Sequence, residues 1–161
     1  MYRMLAAAVL SLVLLAPGRA AEVGVAGAPD LAGLAARRDA GLALVVDLRT
    51  EAEDPARERA AAEAVGLRWV NLPVGSDPAD EAVVRRFGEL LASVPAGRGV
   101  LLHCRSGNRA GEVWARHRLA QGASLEEALA EGFAAGLSEA RAEFVRAAAG
   151  AADADASSSM P

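Results

Sequence analysis

The stretch Val100-Leu101-Leu102-His103-Cys104-Arg105-Ser106-Gly107-Asn108-Arg109 limits the folds open to this chain more than any other. Its apolar opening, Val100 to Leu102, predicts a short buried strand. The strand empties into a polar loop headed by Cys104 and closed by Arg109, and a helical pattern follows from Ala110 to about Gln121. Strand, tight loop and helix N-terminus in succession make an anion site. The N–H groups of the loop and first turn point inward, and the helix dipole adds positive potential. A thiol at the mouth of such a loop is expected to ionise near neutral pH. Helix N-termini and nearby arginines lower a cysteine pKa from about 8.5 to roughly 3.5–7.5. Arg109 can hold an oxyanion through two parallel hydrogen bonds. Gly107 suits a positive φ or a close backbone approach to the anion. The amides of Arg105, Ser106, Gly107, Asn108 and Arg109 form the predicted cradle, and Ser106 can donate a bond inside it. The Arg105 side chain is either a second cationic contact or solvent-facing.

Cys104 is the chain's single cysteine. The same chain opens with a pattern of export. Arg3 is followed by the apolar stretch Met4 to Ala16, and Pro17-Gly18-Arg19-Ala20 breaks it with small residues at the −3 and −1 positions. Residues 1–20 are therefore expected to be a secretory signal cleaved near Ala20, which places the domain in the periplasm or outside the cell. Exported proteins mostly use cysteines in disulfide pairs. A lone one at the head of a glycine-containing polar loop reads as reactive. The net charge of −4 gives no electrostatic case for nucleic acid. With two histidines and one cysteine, no metal site or cofactor is expected.

The rest of the chain supplies strands and helices in alternation. A short strand is expected near Val23 to Val25. Asp30 is an N-cap candidate for a helix to about Ala40, ended by Gly41. Leu42 to Val46 is a continuous apolar run, the mark of a central parallel strand. Asp47 and Arg49 at its end either border the site or form a structural ion pair. Asp54-Pro55 predicts a helix start and Gly66 its end. Leu67 to Leu72 predicts a strand carrying Trp69. Asp77-Pro78 repeats the cap-plus-proline signal before an amphipathic helix through Val83, Val84, Phe87, Leu90, Leu91 and Val94. His117 falls on the apolar face of the helix after the loop, as a core or boundary residue. Ser124 with Glu127 is a capping box. Leu125, Ala128, Leu129 and Phe133 predict the next stripe, with Gly132 permitting close helix packing. Leu137, Ala140, Phe144 and Val145 predict the last. One α/β domain over residues 21–150 follows, a small, mostly parallel sheet with helices on both faces. Residues 151–161 are expected to be a disordered tail.

The cysteine loop resembles two families of cysteine enzymes. Protein tyrosine and dual-specificity phosphatases carry His-Cys, five residues, then Arg; single-domain rhodaneses carry Cys, four residues, then Arg. Here the loop length is the rhodanese one, while His103 and the upstream "RWVNLPVGSD" resemble the phosphatases. The succession "AGAPD", "VVDLR", "WVNLPV", "HCRSGNRAGEVW" and "SLEEALAEGFAAGL" is similar to the phosphatase-like domain named after beta-lactamase hydrolase-like proteins. Some members of that family are classed as sulfur transferases.

The resemblance implies a protein tyrosine phosphatase-like fold with Cys104 as nucleophile, Arg109 as oxyanion ligand and His103 as support for the loop. By position Asp77 resembles the phosphatase acid, although Asp before Pro is also a helix cap; Asp80 is the reserve. Two departures disfavour phosphate chemistry. The loop is one residue shorter, and Ala110 replaces the hydroxyl residue that follows the phosphatase arginine. The leading expectation is thus rhodanese-like sulfur transfer. Cys104 takes a sulfur from a small anionic donor such as thiosulfate and passes it from a persulfide to an acceptor. The alternative is a phosphatase acting on a phosphoester through a phosphocysteine. A third is an oxyanion-binding or thiol-redox protein without turnover.

Overall fold

Leu44 and Val46 face one side of a sheet and Val45 the other, and all three are fully buried. A strand that hides both faces belongs at the centre of a parallel sheet with helices on each side. The structure, a computed structural model, describes residues 21–158, so the predicted signal segment lies outside the described residues. Four parallel strands, β1 (Glu22–Ala26), β2 (Leu42–Asp47), β3 (Arg68–Asn71) and β4 (Gly99–His103), stand in the order β1-β4-β2-β3. The strand that delivers Cys104 is therefore central. In register, Asp47 of β2 lies beside His103 of β4 and Asn71 of β3 beside Asp47. The carboxyl ends of three strands thus meet at one edge, where ligands of open α/β sheets gather.

Helices α3 (Glu81–Ala92) and α4 (Asn108–Ala120) cover one face, with Phe87, Leu90, Leu102 and Val113 buried between. Each such side chain removed from water contributes about 1.5–3 kcal/mol. Helices α1 (Leu34–Asp39) and α2 (Ala56–Ala64) cover the other face through Leu34 and Ala62. Helices α5 (Leu125–Ala134) and α6 (Glu139–Ser158) pack on the outside of α4. Gly111 and Gly132 make the close α4–α5 approach. A Cβ on Gly111 would lie 2.7 Å from the Gly132 carbonyl oxygen. Ser124 and Glu127 form the predicted capping box.

Several boundaries fall differently. Asp77-Pro78 does not start α3; Asp80 does, its side chain accepting the Ala82 N–H at 2.8 Å. Asp54 does not cap α2 either. It lies at φ 52°, ending a short turn at Glu51–Glu53, and the helix begins at Ala56. On α5 the inner face is Ala128 and Gly132, with Leu125 and Phe133 outward. On α6 it is Arg141, Ala142 and Val145, with Leu137 buried just before the helix and Ala140 outward. Helix α6 also runs past Gly150, where the sequence pattern predicted the end of the fold, to Ser158.

Candidate active site

Cys104 follows β4 directly, and α4 begins four residues later. Gly107 is the turning point. It sits at φ 93°, caps α4, and a Cβ there would lie 1.9 Å from the carbonyl oxygen of Ala135. Only glycine fits. The turn brings the Gly107 N–H to 3.2 Å from the Cys104 sulfur, to which it donates. Cys104 is fully buried, packed in the same core cluster as Ala110 and Val113, while its sulfur faces this amide. The outer wall of the loop is the segment after β1. Gly27 pairs with Ser106, and the Ala28 N–H donates to the Arg105 carbonyl at 3.2 Å. Arg105 is exposed. The Asn108 side chain turns to the α5–α6 connection and accepts the Ser138 N–H at 2.9 Å.

Arg109 lies in the first turn of α4, with its fork on a carboxylate the sequence reading passed over. Nη1 and Nη2 each donate to Glu53 at 2.7 Å, and Nη1 also donates to the Val74 carbonyl at 2.8 Å. Glu53 is fixed from behind by the Thr50 N–H and hydroxyl, a capping box in a Thr-x-x-Glu pattern that was readable in the sequence. The Arg109 guanidinium holds the Glu53 carboxyl at about 2, well below the usual carboxylate range. In return Glu53 first, and then the charge of Cys104, raise the pKa of Arg109.

Behind Cys104 lies a buried ionic quartet. His103 Nε2 is 2.6 Å from Glu58, and its Nδ1 faces the Cys104 carbonyl oxygen at 3.2 Å. Arg49 bridges Asp47 and Glu58, with Nη2 at 2.7 Å from each. The Asp47 bond is the main cause that raises the pKa of Arg49. Asp47 and Arg49 are thus an ion pair, one of the two predicted roles. Asp47, Glu58 and His103 offer ligand atoms within 4.8 Å of one another. The Arg49 guanidinium already supplies the positive charge that their carboxylates require. His103 thus joins the Cys104 backbone to Glu58, a partner on α2 that the sequence left unmarked.

A shallow cavity of about 330 Å³ opens over the loop, lined by Thr50, Glu53, Ser76, Ser106, Arg109 and Arg141 among others. Asp77 stands exposed in the irregular segment between β3 and α3, released from the capping role by Asp80. That segment is gripped by a second buried cluster. Arg141 Nη2 donates to the carbonyls of Gly75 and Ser76 at 2.9 Å each and to that of Asp77 at 3.4 Å. Glu112, wholly buried on α4, pairs with Arg141 and Arg116 and accepts the Ala79 N–H at 2.8 Å. Arg116 reaches on to the Ala79 carbonyl and Glu81. His117, buried as one of the two expected placements, packs edge-on against Phe87, and burial, with Arg118 adding, lowers its pKa.

A central parallel strand that delivers a cysteine under the first amides of a helix, with an arginine in that helix's first turn, defines the phosphatase-like α/β class. The sequence matches over residues 21–149 the family described as a DSP-PTPase phosphatase fused to NAD+ kinase, and the chain belongs to that family. The match is to a dual-specificity phosphatase family and does not confirm the beta-lactamase hydrolase-like domain whose motif order the sequence resembles. Among solved structures, Pseudomonas aeruginosa TpbA is 26% identical, with 84% of this chain and 83% of that one covered and a TM-score of 0.64. A cysteine-to-serine variant of TpbA in complex with phosphotyrosine is 25% identical over 78% of this chain and 76% of that one, with a TM-score of 0.60. The nma1982 protein of Neisseria meningitidis shares the fold at 23% identity, covering 79% of this chain and 93% of its own, with a TM-score of 0.67. No curated protein matches.

Proposed function

We propose that this protein hydrolyses phosphate monoesters through a phosphocysteine on Cys104. The observation that carries the reading is the Cys104 sulfur under the Gly107 amide at the head of α4, in a chain of the dual-specificity phosphatase family. The thiolate attacks phosphorus from below while the loop amides take the equatorial oxygens and the Arg109 guanidinium, its fork resting on Glu53, adds positive charge beside them. The P–O ester bond breaks, and the leaving oxygen takes a proton from Asp77. Water then attacks phosphorus, the S–P bond breaks, and Asp77 accepts the proton from that water. The cap at Asp80 supports this role, since it leaves the Asp77 carboxyl free of α3.

Sulfur transfer, the reading that the Cys104-to-Arg109 spacing put first, has no support from the family match or the solved relatives. Phosphotyrosine bound to the TpbA variant favours an anionic phosphoester as substrate over thiosulfate. The leader-like pattern of Met1 to Ala20 supports a reaction outside the cytoplasm.

The test is hydrolysis of p-nitrophenyl phosphate. It is expected in the wild type, with loss of at least about a thousand-fold in Cys104→Ser. A phosphoryl group on Cys104 is trapped by rapid quenching and read by mass. Thiocyanate from thiosulfate and cyanide, with no phosphate released from any ester, would overturn the assignment. N-terminal sequencing of the protein from cells tests the export, with Ala21 as the expected first residue.

A further inference from the structure

We infer that Arg141, on helix α6, is a positioning residue that holds the segment bearing Asp77 in the geometry from which that acid works. The inference rests on the phosphatase reading above.

Residues 72–80 have no helix or strand to fix them. Val74 is tied at one end, its N–H donating to the Leu48 carbonyl at 3.0 Å and its carbonyl accepting from Arg109. Asp80 is tied at the other as the cap of α3. Between them, three successive carbonyls, those of Gly75, Ser76 and Asp77, converge on one guanidinium nitrogen of Arg141. The other terminal nitrogen of Arg141 is held by Glu112, whose second oxygen takes the Ala79 N–H. The backbone is therefore gripped on both sides of Asp77, by groups that are almost wholly out of water.

The same helix is referenced to the nucleophile. Glu112 belongs to α4, whose N-terminus is the cysteine loop. The turn leading into α6 lies against that loop. A Cβ on Gly136 would sit 2.8 Å from the Ser106 carbonyl oxygen, and the Ser138 N–H donates to Asn108. One element thus touches both halves of the site, and Arg141 is its contact to the acid half. A lysine keeps the charge but loses the planar fork that reaches Glu112 and the carbonyls together.

The test separates positioning from simple stabilisation by the leaving group. An acid matters most when the leaving oxygen is basic. Arg141→Lys is expected to lower kcat/KM, which reads only the ester-cleaving step, about ten-fold more on phenyl phosphate than on 2,4-dinitrophenyl phosphate, whose leaving group departs without a proton. In Asp77→Asn the further change Arg141→Lys is expected to cost nothing on phenyl phosphate, because both act through one proton transfer. Equal losses on the two esters, or losses that multiply, overturn the inference. Should Arg141→Lys fail to fold, Glu112→Gln replaces it: the amide keeps an acceptor for Ala79 and loosens the guanidinium, and the same leaving-group split is expected. A wild-type protein with no Cys104-dependent hydrolysis of either ester removes the phosphatase reading and this inference together. Hydrolysis that is present but indifferent to the leaving group in the variant removes only the inference.

Discussion

Two buried ionic clusters support the candidate site, and they are built from different material. The cluster under Cys104 joins His103, Asp47 and Arg49 at the ends of β4 and β2 with Glu58 on α2. The cluster under the Asp77 segment joins Glu112 and Arg116 on α4 with Arg141 on α6. In the first, Arg49 has two carboxylates and His103 shares one, so every charge has a neighbour to spare. In the second, one buried carboxylate serves two guanidinium groups and one backbone amide, the other carboxylate on Arg116 is the exposed Glu81, and Arg116 Nε finds no partner among the described residues. The first is redundant and holds a loop already set by strand geometry. The second hangs an irregular segment on one buried carboxylate.

That difference predicts unequal costs. Glu112→Ala leaves Arg141 with no carboxylate, Arg116 with only the exposed Glu81, and the Ala79 N–H unpaired, and about 4 kcal/mol of stability is expected to be lost in urea unfolding. Amide exchange at residues 75–79 is expected to rise ahead of exchange in β4. Glu58→Ala leaves Arg49 on Asp47, so a smaller loss of about 3 kcal/mol is expected. Its local effect falls at the thiol, read as the rate of Cys104 alkylation, with residues 75–79 protected as before. Identical exchange and alkylation changes in the two variants would erase the contrast. Asp80→Ala removes only the α3 cap, and about 1 kcal/mol is expected to be lost, with no rise in exchange at the Gly75 and Ser76 carbonyl-bonded turn.

The smallest effect belongs to the partly exposed pair at the cavity mouth. Glu53 is held at about 2 by Arg109, below its ordinary 4.5. A depressed carboxyl stabilises the fold fully above the unfolded value, and that contribution is lost as pH falls from about 4.5 toward about 2. Glu53→Gln is expected to flatten the stability-against-pH curve in this window and to leave it unchanged near neutrality relative to its own baseline. An unchanged acid slope would show that the pair contributes nothing to it.

The clusters also differ in how far they could be read in advance. Asp47 and Arg49 close an apolar strand, and a strand end in a parallel sheet is a marked position. His103 sits beside Cys104 in sequence. Glu58 and Glu112 look like ordinary charged helix residues, and Arg141 falls beside Ala140, which the stripe pattern wrongly turned inward. A helix period shows which positions share a face, but not which buried position carries a charge whose partner comes from another helix. Asp77 and Asp80 show the limit at shorter range. Both suit a cap, and only the path of the chain into α3 picks Asp80.

By itself the sequence determined the strand, the cysteine loop and the helix after it, because apolar runs, a lone polar turn and a glycine leave one local solution. It also determined the parallel sheet, because strands buried on both faces have no other place. The tertiary structure alone decided where the guanidinium groups lie. The Arg109 fork rests on Glu53, 56 positions away, and Arg141 reaches the carbonyls of residues 75–77 from more than sixty positions away. A long charged side chain goes to whichever unpaired oxygen the fold brings near. That choice is made by packing across the chain, where local pattern carries no information.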